Sequence, residues 1–156
     1  MSCHLLGRVT IRPVTRNDAA SWLRLRCALW PDGSPSEHRV EIERFLSGQA
    51  HEPQAVFLAL DGSGRAVGLA ELSIRSCAEG CRTNRVAYLE GWYVVPETRR
   101  RGIGRALVEA AEKWGRAQGC TELASDTYPD NGISERAHHA LGFQDVGMVR
   151  CFRKDL

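Results

Sequence analysis

Residues 88–107, YLEGWYVVPETRRRGIGRAL, decide the fold of this chain. The first half is apolar, β-branched and aromatic, which is typical of a buried strand, and Pro96 ends the strand because proline has no N–H to donate. Three arginines and two spaced glycines follow, and from Ile103 the apolar residues recur with helical period. A strand, a glycine-rich turn and a helix direct free backbone N–H groups and a helix N-terminus towards one point. The stretch therefore predicts an anion-binding loop, with a helix cap beside a solvated basic patch as the alternative.

Hydrophobic periodicity outside this stretch predicts the remaining strands and helices. Strands are predicted at residues 9–14, 55–60, 67–74, 86–95, 122–125, 143–146 and 149–152, the last two as a terminal hairpin. Helices are predicted from Thr15 to residue 30, at 36–46, from 103 to Gly119 and at 131–141. The resulting β-α-α-β-β-β-α-β-α-β-β order is typical of an α/β (α+β) protein with a mixed, twisted sheet and helices on both faces. A length of 156 residues predicts that residues 1–156 form a single domain.

Composition and charge narrow the class of partner. Hydrophobic content of 43% and charged content of 26% are ordinary for a soluble globular protein, and a net charge of +2 requires no charged partner. The arginines at 99–101 and 105 form one compact cluster and no stripe, so nucleic-acid binding is not expected. No run approaches the roughly 18 apolar residues of a membrane span, and residues 1–7 lack the apolar stretch of a signal peptide. We therefore expect a cytoplasmic protein without a membrane partner.

The cysteines do not form the pattern of a disulfide framework or a metal site. They lie at positions 3, 27, 77, 81, 120 and 151. Cys27, Cys120 and Cys151 fall in apolar segments, where a free thiol behaves as a small hydrophobe. Cys77 and Cys81 have a metal-like spacing, but no second Cys or His pair lies at a suitable distance. Reduced thiols and no bound metal are expected.

Several motifs resemble those of a known family. The run Val94-Val95-Pro96-Glu97-x-Arg99-Arg100-x-Gly102-Ile103-Gly104 resembles the acyl-CoA signature of the GCN5-related N-acetyltransferases (GNAT). Asn131 and the later Leu141-Gly142-Phe143 continue the match, and the element order fits over nearly the whole chain. The resemblance implies a GNAT-like, mostly antiparallel twisted sheet of about seven strands flanked by four helices, with acetyl-CoA as co-substrate.

A narrower likeness points to the aminoglycoside 6'-N-acetyltransferases. It is carried by Trp22-x-x-Leu25-Arg26-x-x-Leu29-Trp30-Pro31, Leu89-Glu90-Gly91, Ala124-Ser125-Asp126 and His138-x-x-Leu141-Gly142-Phe143. This likeness implies direct acetyl transfer, in a ternary complex, to the 6'-amine of a cationic amino sugar, and a homodimer, as relatives often are. Other amines (a polyamine, an amino acid or a protein N-terminus) are the alternative acceptors. A non-catalytic acyl-CoA-binding domain is the alternative from another class.

The resemblance assigns the donor side to the strand and loop that opened this section. The implied cofactor residues are Trp92, Tyr93, Val94, Val95, Arg99, Arg100, Arg101, Gly102, Ile103, Gly104, Arg105 and Asn131. Backbone groups of 92–94 would pair with the pantetheine arm, and the Val94 N–H would polarise the thioester carbonyl. The 99–105 loop would bind the pyrophosphate. Asn131 would hydrogen-bond the arm, with a helix cap as the alternative.

The acceptor side is assigned to two acids, a histidine and two tryptophans. Glu90 interrupts an apolar strand and is the better candidate for general base, unless it faces solvent on an outer strand face. Asp126 would bind the ammonium group and take part in proton transfer, or be a turn residue. His138, where many relatives carry tyrosine, would protonate the leaving thiolate, or would only hydrogen-bond the cofactor or be a structural histidine. Trp22 and Trp92 would wall the acceptor site, with core packing as the alternative for Trp22.

Overall fold

A computed structural model of the chain describes residues 8–156. The strands are β1 (Thr10–Pro13), β2 (Ala55–Leu60), β3 (Ala66–Arg75), β4 (Val86–Val94) and β5 (Leu123–Ser125). The helices are α1 (Ala19–Leu29), α2 (Pro35–Leu46), α3 (Ile103–Ala117) and α4 (Gly132–Ala140), with short 3-10 turns at Arg16–Asp18 and Pro96–Thr98. Residues 1–7, which contain Cys3 and underlie the expectation of no signal peptide, lie outside the described residues.

The sheet is mixed and mostly antiparallel, as predicted. Its strand order is β1-β2-β3-β4-β5; the first three pairings are antiparallel and the β4–β5 pairing is parallel. The ladder between β3 and β4 runs from Arg75↔Val86 to Gly68↔Val94. The ladder between β4 and β5 covers only Ala87 to Leu89 of β4. Beyond Leu89, the β5-facing edge of β4 has no strand partner among the described residues.

The helices pack closely against both faces of the central strands. Leu69, Leu89 and Leu107 are almost wholly buried in the core. A Cβ at Gly68 would lie 2.9 Å from Leu107 of α3, and a Cβ at Gly91 would lie 2.9 Å from Leu29 of α1. Because these positions carry no side chain, α1 and α3 can approach the β3–β4 pair from opposite sides.

The prediction of about seven strands is wrong: the sheet formed by residues 8–156 has five strands, and the terminal hairpin does not form. Residues 143–156 have no regular secondary structure, and Val146, Met148, Val149 and Phe152 are each more than half exposed. An isolated two-stranded hairpin is marginal in water, and the three-residue β5 offers only a short edge for it to extend. The alternating pattern at 143–152 therefore has no core to cover within one chain.

The fold determines how exposed each cysteine is. All five cysteines in residues 8–156 are free; Cys120 is buried and Cys27 half-buried. Cys151 is exposed, contrary to its apolar sequence context, because the hairpin that would shelter it is not formed. Residues 8–156 contain no group of three His, Cys, Asp or Glu side chains suited to a metal ion. No helix in the same part of the chain is long and apolar enough to cross a membrane.

A buried carboxylate connects β1 to the start of α1. Arg12 donates to Asp18 through two nitrogens, at 2.7 and 2.9 Å. The backbone N–H and the hydroxyl of Thr15 donate to the same carboxylate at 2.7 and 2.8 Å. These hydrogen bonds, that from Arg12 foremost, hold the pKa of Asp18 well below its usual 3.8.

Replacing Asp18 by asparagine should lower the free energy of unfolding at pH 7 by about 2 kcal/mol, since a charged hydrogen-bond acceptor is lost. Because the folded pKa is depressed, the carboxylate stabilises the protein above pH 3.8, and this contribution is lost as the pH falls further. The difference in the free energy of unfolding between wild type and Asp18→Asn, measured by urea unfolding, should therefore shrink as the pH is lowered below 4. A difference that stays constant over that interval would contradict this assignment.

Candidate functional site

The site is built on an irregularity in β4. Glu71 pairs with Gly91 and Leu72 pairs with Leu89, so Glu90 is the extra residue of a β-bulge. A bulge breaks the strict alternation of side chains and re-aims the extra residue. The Glu90 side chain is 19% exposed and lies against Arg75, so it is not the freely solvated glutamate of an outer strand face.

Glu90 and Asp126 are joined through two residues that the sequence did not single out. Arg75 Nε donates to Glu90 Oε1 at 2.9 Å, and Nη2 donates to Oε2 at 2.6 Å. The Arg75 Cζ lies 3.5 Å from the centre of the Tyr88 ring. The Tyr88 hydroxyl donates to Asp126 Oδ2 at 2.7 Å. The pKa of Tyr88 is raised, first by burial and then by the Asp126 carboxylate, so the phenol remains a donor.

A cleft of about 440 Å³ opens beside Glu90, between the α1–α2 pair and the central strands. We call it the acidic cleft; its lining is Arg26, Trp30, Glu41, Arg44, residues 49–53, Glu71 and Glu90. The four carboxylates of this lining, including Glu52, outnumber its two guanidinium groups. The field in the acidic cleft therefore favours a cationic ligand.

Glu71 is a buried carboxylate that the sequence analysis missed. Its side chain is 1% exposed, and its Oε1 accepts a hydrogen bond from Trp22 Nε1 at 2.6 Å. Arg26 Nε lies 3.1 Å from the same oxygen as an ion pair without hydrogen-bond alignment, and Arg26 also pairs with Glu41. Burial raises the pKa of Glu71 against the opposing effect of Arg26. An acid interrupting the apolar run at 67–72 was the sequence signal for it, as at Glu90.

The two tryptophans of the acceptor prediction lie in different places. Trp22 is fully buried, with its ring edge-on to Phe45 at 5.1 Å, and is therefore part of the core behind Glu71. Trp30 lines the acidic cleft in its place. Trp92 is half-buried on β4 and packs over the start of α3, where a Cβ at Gly104 would lie 3.1 Å from its ring.

The open edge of β4 presents backbone groups to a ligand. Val95 N donates to Val67 O at 2.9 Å, so these two residues form a hydrogen-bonded pair of the antiparallel ladder. Hydrogen-bonded pairs alternate with non-hydrogen-bonded pairs along an antiparallel ladder, so Trp92 and Val94 belong to non-hydrogen-bonded pairs. Their amide N–H groups therefore face away from β3. The side chain of Val95 is buried in the core, and Tyr93 is half-buried. Backbone, and not side chain, is what this edge offers.

The loop after β4 contains left-handed residues of the kind found in anion-binding nests, and we call this turn the nest. Arg100 has a φ of 60° and Gly102 a φ of 78°, so two nearby residues adopt the left-handed region. Such turns converge successive N–H groups, and the first N–H groups of α3, from Ile103 onward, lie beside them. The Ile103 side chain itself is buried, so its contribution here is also through backbone.

The arginines of this loop do not all point into it. Arg99 Nε donates to the Val94 carbonyl at 2.8 Å, and its guanidinium lies 5.8 Å from the Tyr93 ring. Arg100, Arg101 and Arg105 are exposed around the loop. The cluster therefore places three exposed guanidinium groups at the N-terminus of α3, while Arg99 is hydrogen-bonded to the last residue of β4.

His138 is hydrogen-bonded on both ring nitrogens. Nδ1 lies 2.7 Å from the Ser134 carbonyl, which can only accept, so Nδ1 carries a proton. Nε2 lies 2.9 Å from the Ser125 hydroxyl at the end of β5. The ring packs edge-on between Trp92, at 5.2 Å, and Phe143, at 5.1 Å. His138 thus contacts both the open edge of β4 and the strand that precedes Asp126.

Asn131 caps α4. Its side-chain oxygen accepts a hydrogen bond from Ser134 N at 3.1 Å. This is the helix-cap geometry that was the alternative to a cofactor contact. The amide nitrogen of Asn131 has no part in the cap and remains available to a ligand.

Comparisons with known proteins agree on one family. The sequence profile of the Acetyltransferase (GNAT) family matches residues 19–143. An aminoglycoside N(6')-acetyltransferase type 1 from Klebsiella aerogenes is 58% identical over 146 residues, covering 94% of this chain and 96% of that protein. A protein of the same name from Stenotrophomonas maltophilia is 40% identical over 148 residues, covering 94% of each chain.

Solved structures give the same result. Aminoglycoside N-acetyltransferase AAC(6')-Iy in complex with CoA superposes with a TM-score of 0.88 at 38% identity, covering 96% of this chain and 97% of that one. AAC(6')-Iy bound to the bisubstrate analogue CoA-S-monomethyl-acetylneamine also has a TM-score of 0.88 at 38% identity, covering 96% and 99% of the two chains.

Replacing Arg100 by glycine should leave the protein more stable than replacing it by alanine, by about 1 kcal/mol, because glycine adopts a positive φ without a Cβ penalty. Urea unfolding of both variants measures the difference. The same two substitutions at Arg105, inside α3, are the matched control: there alanine should be the more stable by about 1 kcal/mol. Equal stability of the two Arg100 variants would contradict the left-handed conformation.

Proposed function

The chain belongs to the Acetyltransferase (GNAT) family, and from this premise we infer that it is an acetyl-CoA-dependent N-acetyltransferase acting on the 6'-amine of aminoglycosides. The observation that carries this function is the full-length 58% identity to an enzyme named for that reaction, together with an open strand edge and an acidic cleft on the two sides of Glu90. Acetylation removes a positive charge from the antibiotic, which accounts for a role in aminoglycoside resistance.

The residues of the donor side fit acetyl-CoA. The pantetheine arm is a chain of amides, and the outward N–H groups of Trp92 and Val94 can pair with it as a strand would. The nest at Arg100–Gly102 and the α3 N-terminus suit a pyrophosphate, with Arg101 and Arg105 as counter-charges. The Val94 N–H is the donor we propose for the thioester oxygen as negative charge develops on it.

The acceptor-side acids serve to deprotonate and hold the amine. An ammonium group must lose a proton before its nitrogen can attack, and we assign that proton to Glu90, directly or through one water. Asp126 is exposed and uses Oδ2 for Tyr88, which leaves Oδ1 to bind the ammonium group. The N–C bond forms as the C–S bond breaks, and the electron pair leaves with sulfur as the CoA thiolate.

The thiolate is protonated from the α4 side in our proposal. His138 Nε2 shares a hydrogen bond with the Ser125 hydroxyl, so the Nε2–H of an imidazolium would pass its proton to Ser125 Oγ while the Ser125 hydroxyl proton passes to the sulfur. The edge-on contact with Trp92 keeps this pair beside the open edge of β4. Ser125 was not among the predicted residues, and its hydrogen bond to His138 is the reason for including it.

A thiol-release assay with acetyl-CoA tests the function directly. We expect turnover with kanamycin-type aminoglycosides that carry a 6'-amine and far lower kcat/KM with polyamines and short peptides. An aminoglycoside with a hydroxyl at the 6' position is the matched control and should release no thiol. Turnover confined to polyamines or peptides would remove the aminoglycoside assignment and leave the family intact.

Glu90→Gln and Asp126→Asn should each lower kcat/KM for the amine by about a hundredfold, because a base or an ammonium ligand is lost. The KM for acetyl-CoA should change little, since neither residue contacts the donor-side loop. Glu109→Gln, an exposed glutamate on α3, is the control and should behave as wild type. Unchanged amine kinetics in both acid variants would exclude the two acids from the site.

We further propose a cytoplasmic homodimer, the cytoplasm being where acetyl-CoA is available. Val146, Met148, Val149 and Phe152 are 58, 84, 68 and 88% exposed, a concentration of apolar surface that is uncommon on a monomer. The outer edge of β5 has no strand partner among the described residues, so it offers hydrogen-bonding groups to a second copy. Both observations support pairing between the C-terminal segment of one chain and the sheet of another.

In sedimentation equilibrium the protein should have about twice the 17.3 kDa mass of one chain. Met148→Ser combined with Phe152→Ser should weaken the dimer at least about tenfold, since two apolar contacts are lost. The exposed pair Arg153 and Asp155 supplies a control, because alanine at both positions removes no apolar surface. A wild-type protein that sediments as a monomer would contradict the proposal.

A further inference from the structure

Arg75 is the residue through which the two acceptor-side acids are connected. We propose that Arg75, acting with Tyr88, is a positioning residue that holds Glu90 and Asp126 in a fixed relation, so that the two acids act on the amine as one unit. The proposal rests on the amine acetylation inferred above. Three contacts support it: Arg75 with Glu90, Arg75 with Tyr88, and Tyr88 with Asp126.

The contact with Glu90 fixes a side chain that the backbone leaves free to turn. Glu90 is the bulged residue of β4, so no regular cross-strand neighbour restrains it. The two nitrogens of Arg75 reach its two oxygens at 2.9 and 2.6 Å, a fork that sets the plane of the carboxylate. The face of Glu90 towards the acidic cleft is thereby left for the acceptor.

The contact with Tyr88 transmits the same constraint to Asp126. The Arg75 guanidinium stacks on the Tyr88 ring, with Cζ 3.5 Å from its centre, and a planar guanidinium suits this arrangement better than an ammonium. Tyr88 is 6% exposed and is held in the ladder opposite Ser73 of β3. Its hydroxyl donates to Asp126 at 2.7 Å and so fixes an otherwise exposed carboxylate beyond the end of β5.

Arg75 also sets the charge that the amine meets. Two carboxylates and one guanidinium leave a net charge of −1 beside a single ammonium group. Without Arg75 both acids would bind the ammonium form more tightly, although that form cannot attack. An interaction that favours the substrate ground state over the transition state lowers kcat and does not raise it. Removal of Arg75 should therefore lower kcat without raising the KM for the amine.

A contribution to stability does not distinguish this pair from other ion pairs of the protein. The Arg75 and Glu90 side chains are 38 and 19% exposed. Arg12 and Asp18 form a closely matched pair, with two hydrogen bonds and side-chain exposures of 35 and 12%, and they contact neither acid of the site. Arg12→Gln is therefore the control that loses the same kind of contact elsewhere.

The experiment compares Arg75→Gln, Arg75→Lys and Tyr88→Phe with Arg12→Gln in the thiol-release assay. We expect kcat to fall between about tenfold and a hundredfold in both Arg75 variants, as for a misplaced catalytic group, with the amine KM unchanged or lower. The lysine variant should not recover the loss, because it keeps the charge but not the fork or the stack. Tyr88→Phe keeps the ring and should lose several-fold in kcat, and Arg12→Gln should keep both constants. A kcat within twofold of wild type in Arg75→Gln, or a raised amine KM at unchanged kcat, overturns the proposal.

Two further measurements separate positioning from a general loss of structure. In the double variant Arg75→Gln/Tyr88→Phe the two losses in kcat should be less than multiplicative, because both act through one unit. Guanidinium at millimolar concentration should restore part of the kcat of Arg75→Ala, whereas ammonium should not. Multiplicative losses, or absence of rescue, count against the proposal. Wild type without amine turnover would instead defeat the proposed function, so the two failures are distinguishable.

Discussion

The structure depends on the unequal pairing of β4, which forms its full ladder with β3 but only three residues of ladder with β5. A central strand that loses one neighbour partway leaves backbone N–H and C=O groups without partners. In this protein the N–H groups of Trp92 and Val94 are left open, whereas the Val94 carbonyl accepts a hydrogen bond from Arg99, and the loop that follows contains the nest. The proposed donor site is thus a consequence of where β5 stops.

A second constraint is the burial of acids on the same strands. A carboxylate inside a sheet is unfavourable unless hydrogen bonds and opposite charges compensate for the lost water. Glu71 accepts a hydrogen bond from Trp22 and forms an ion pair with Arg26, both on α1. Glu90 forms an ion pair with Arg75 of the neighbouring strand. Each acid is therefore fixed by a partner from a different element, and the acidic cleft lies between them.

The strand, loop and helix of the proposed donor side could be predicted from sequence, because they depend on local patterns. The Pro96 stop, the glycine spacing and the helical period after Ile103 identify the strand, loop and helix without knowledge of the rest. The acceptor side depends on which side chains meet across strands, and periodicity does not report this. Placing Glu90 against Arg75 requires knowing that a bulge lies at residue 90, and the residue pattern of β4 does not predict that bulge. The terminal hairpin failed for a related reason: alternation shows which residues could share a face, but not whether an edge exists for them to extend.

The close approach of α1 at Gly91 has a consequence for how this enzyme can change. A Cβ at Gly91, next to Glu90, would lie 2.9 Å from the Leu29 and Trp30 side chains, so a side chain at this position requires them to shift. Substitution at Gly91 therefore changes this part of the sheet only together with a shift of α1 side chains. Substitutions meet solvent instead on the outer wall of the cleft, at Gln49, His51 and Glu52 and, on α2, at Glu41 and Arg44. On the proposed assignment of the acidic cleft to the acceptor, this outer wall is where the range of accepted drugs can change under antibiotic selection.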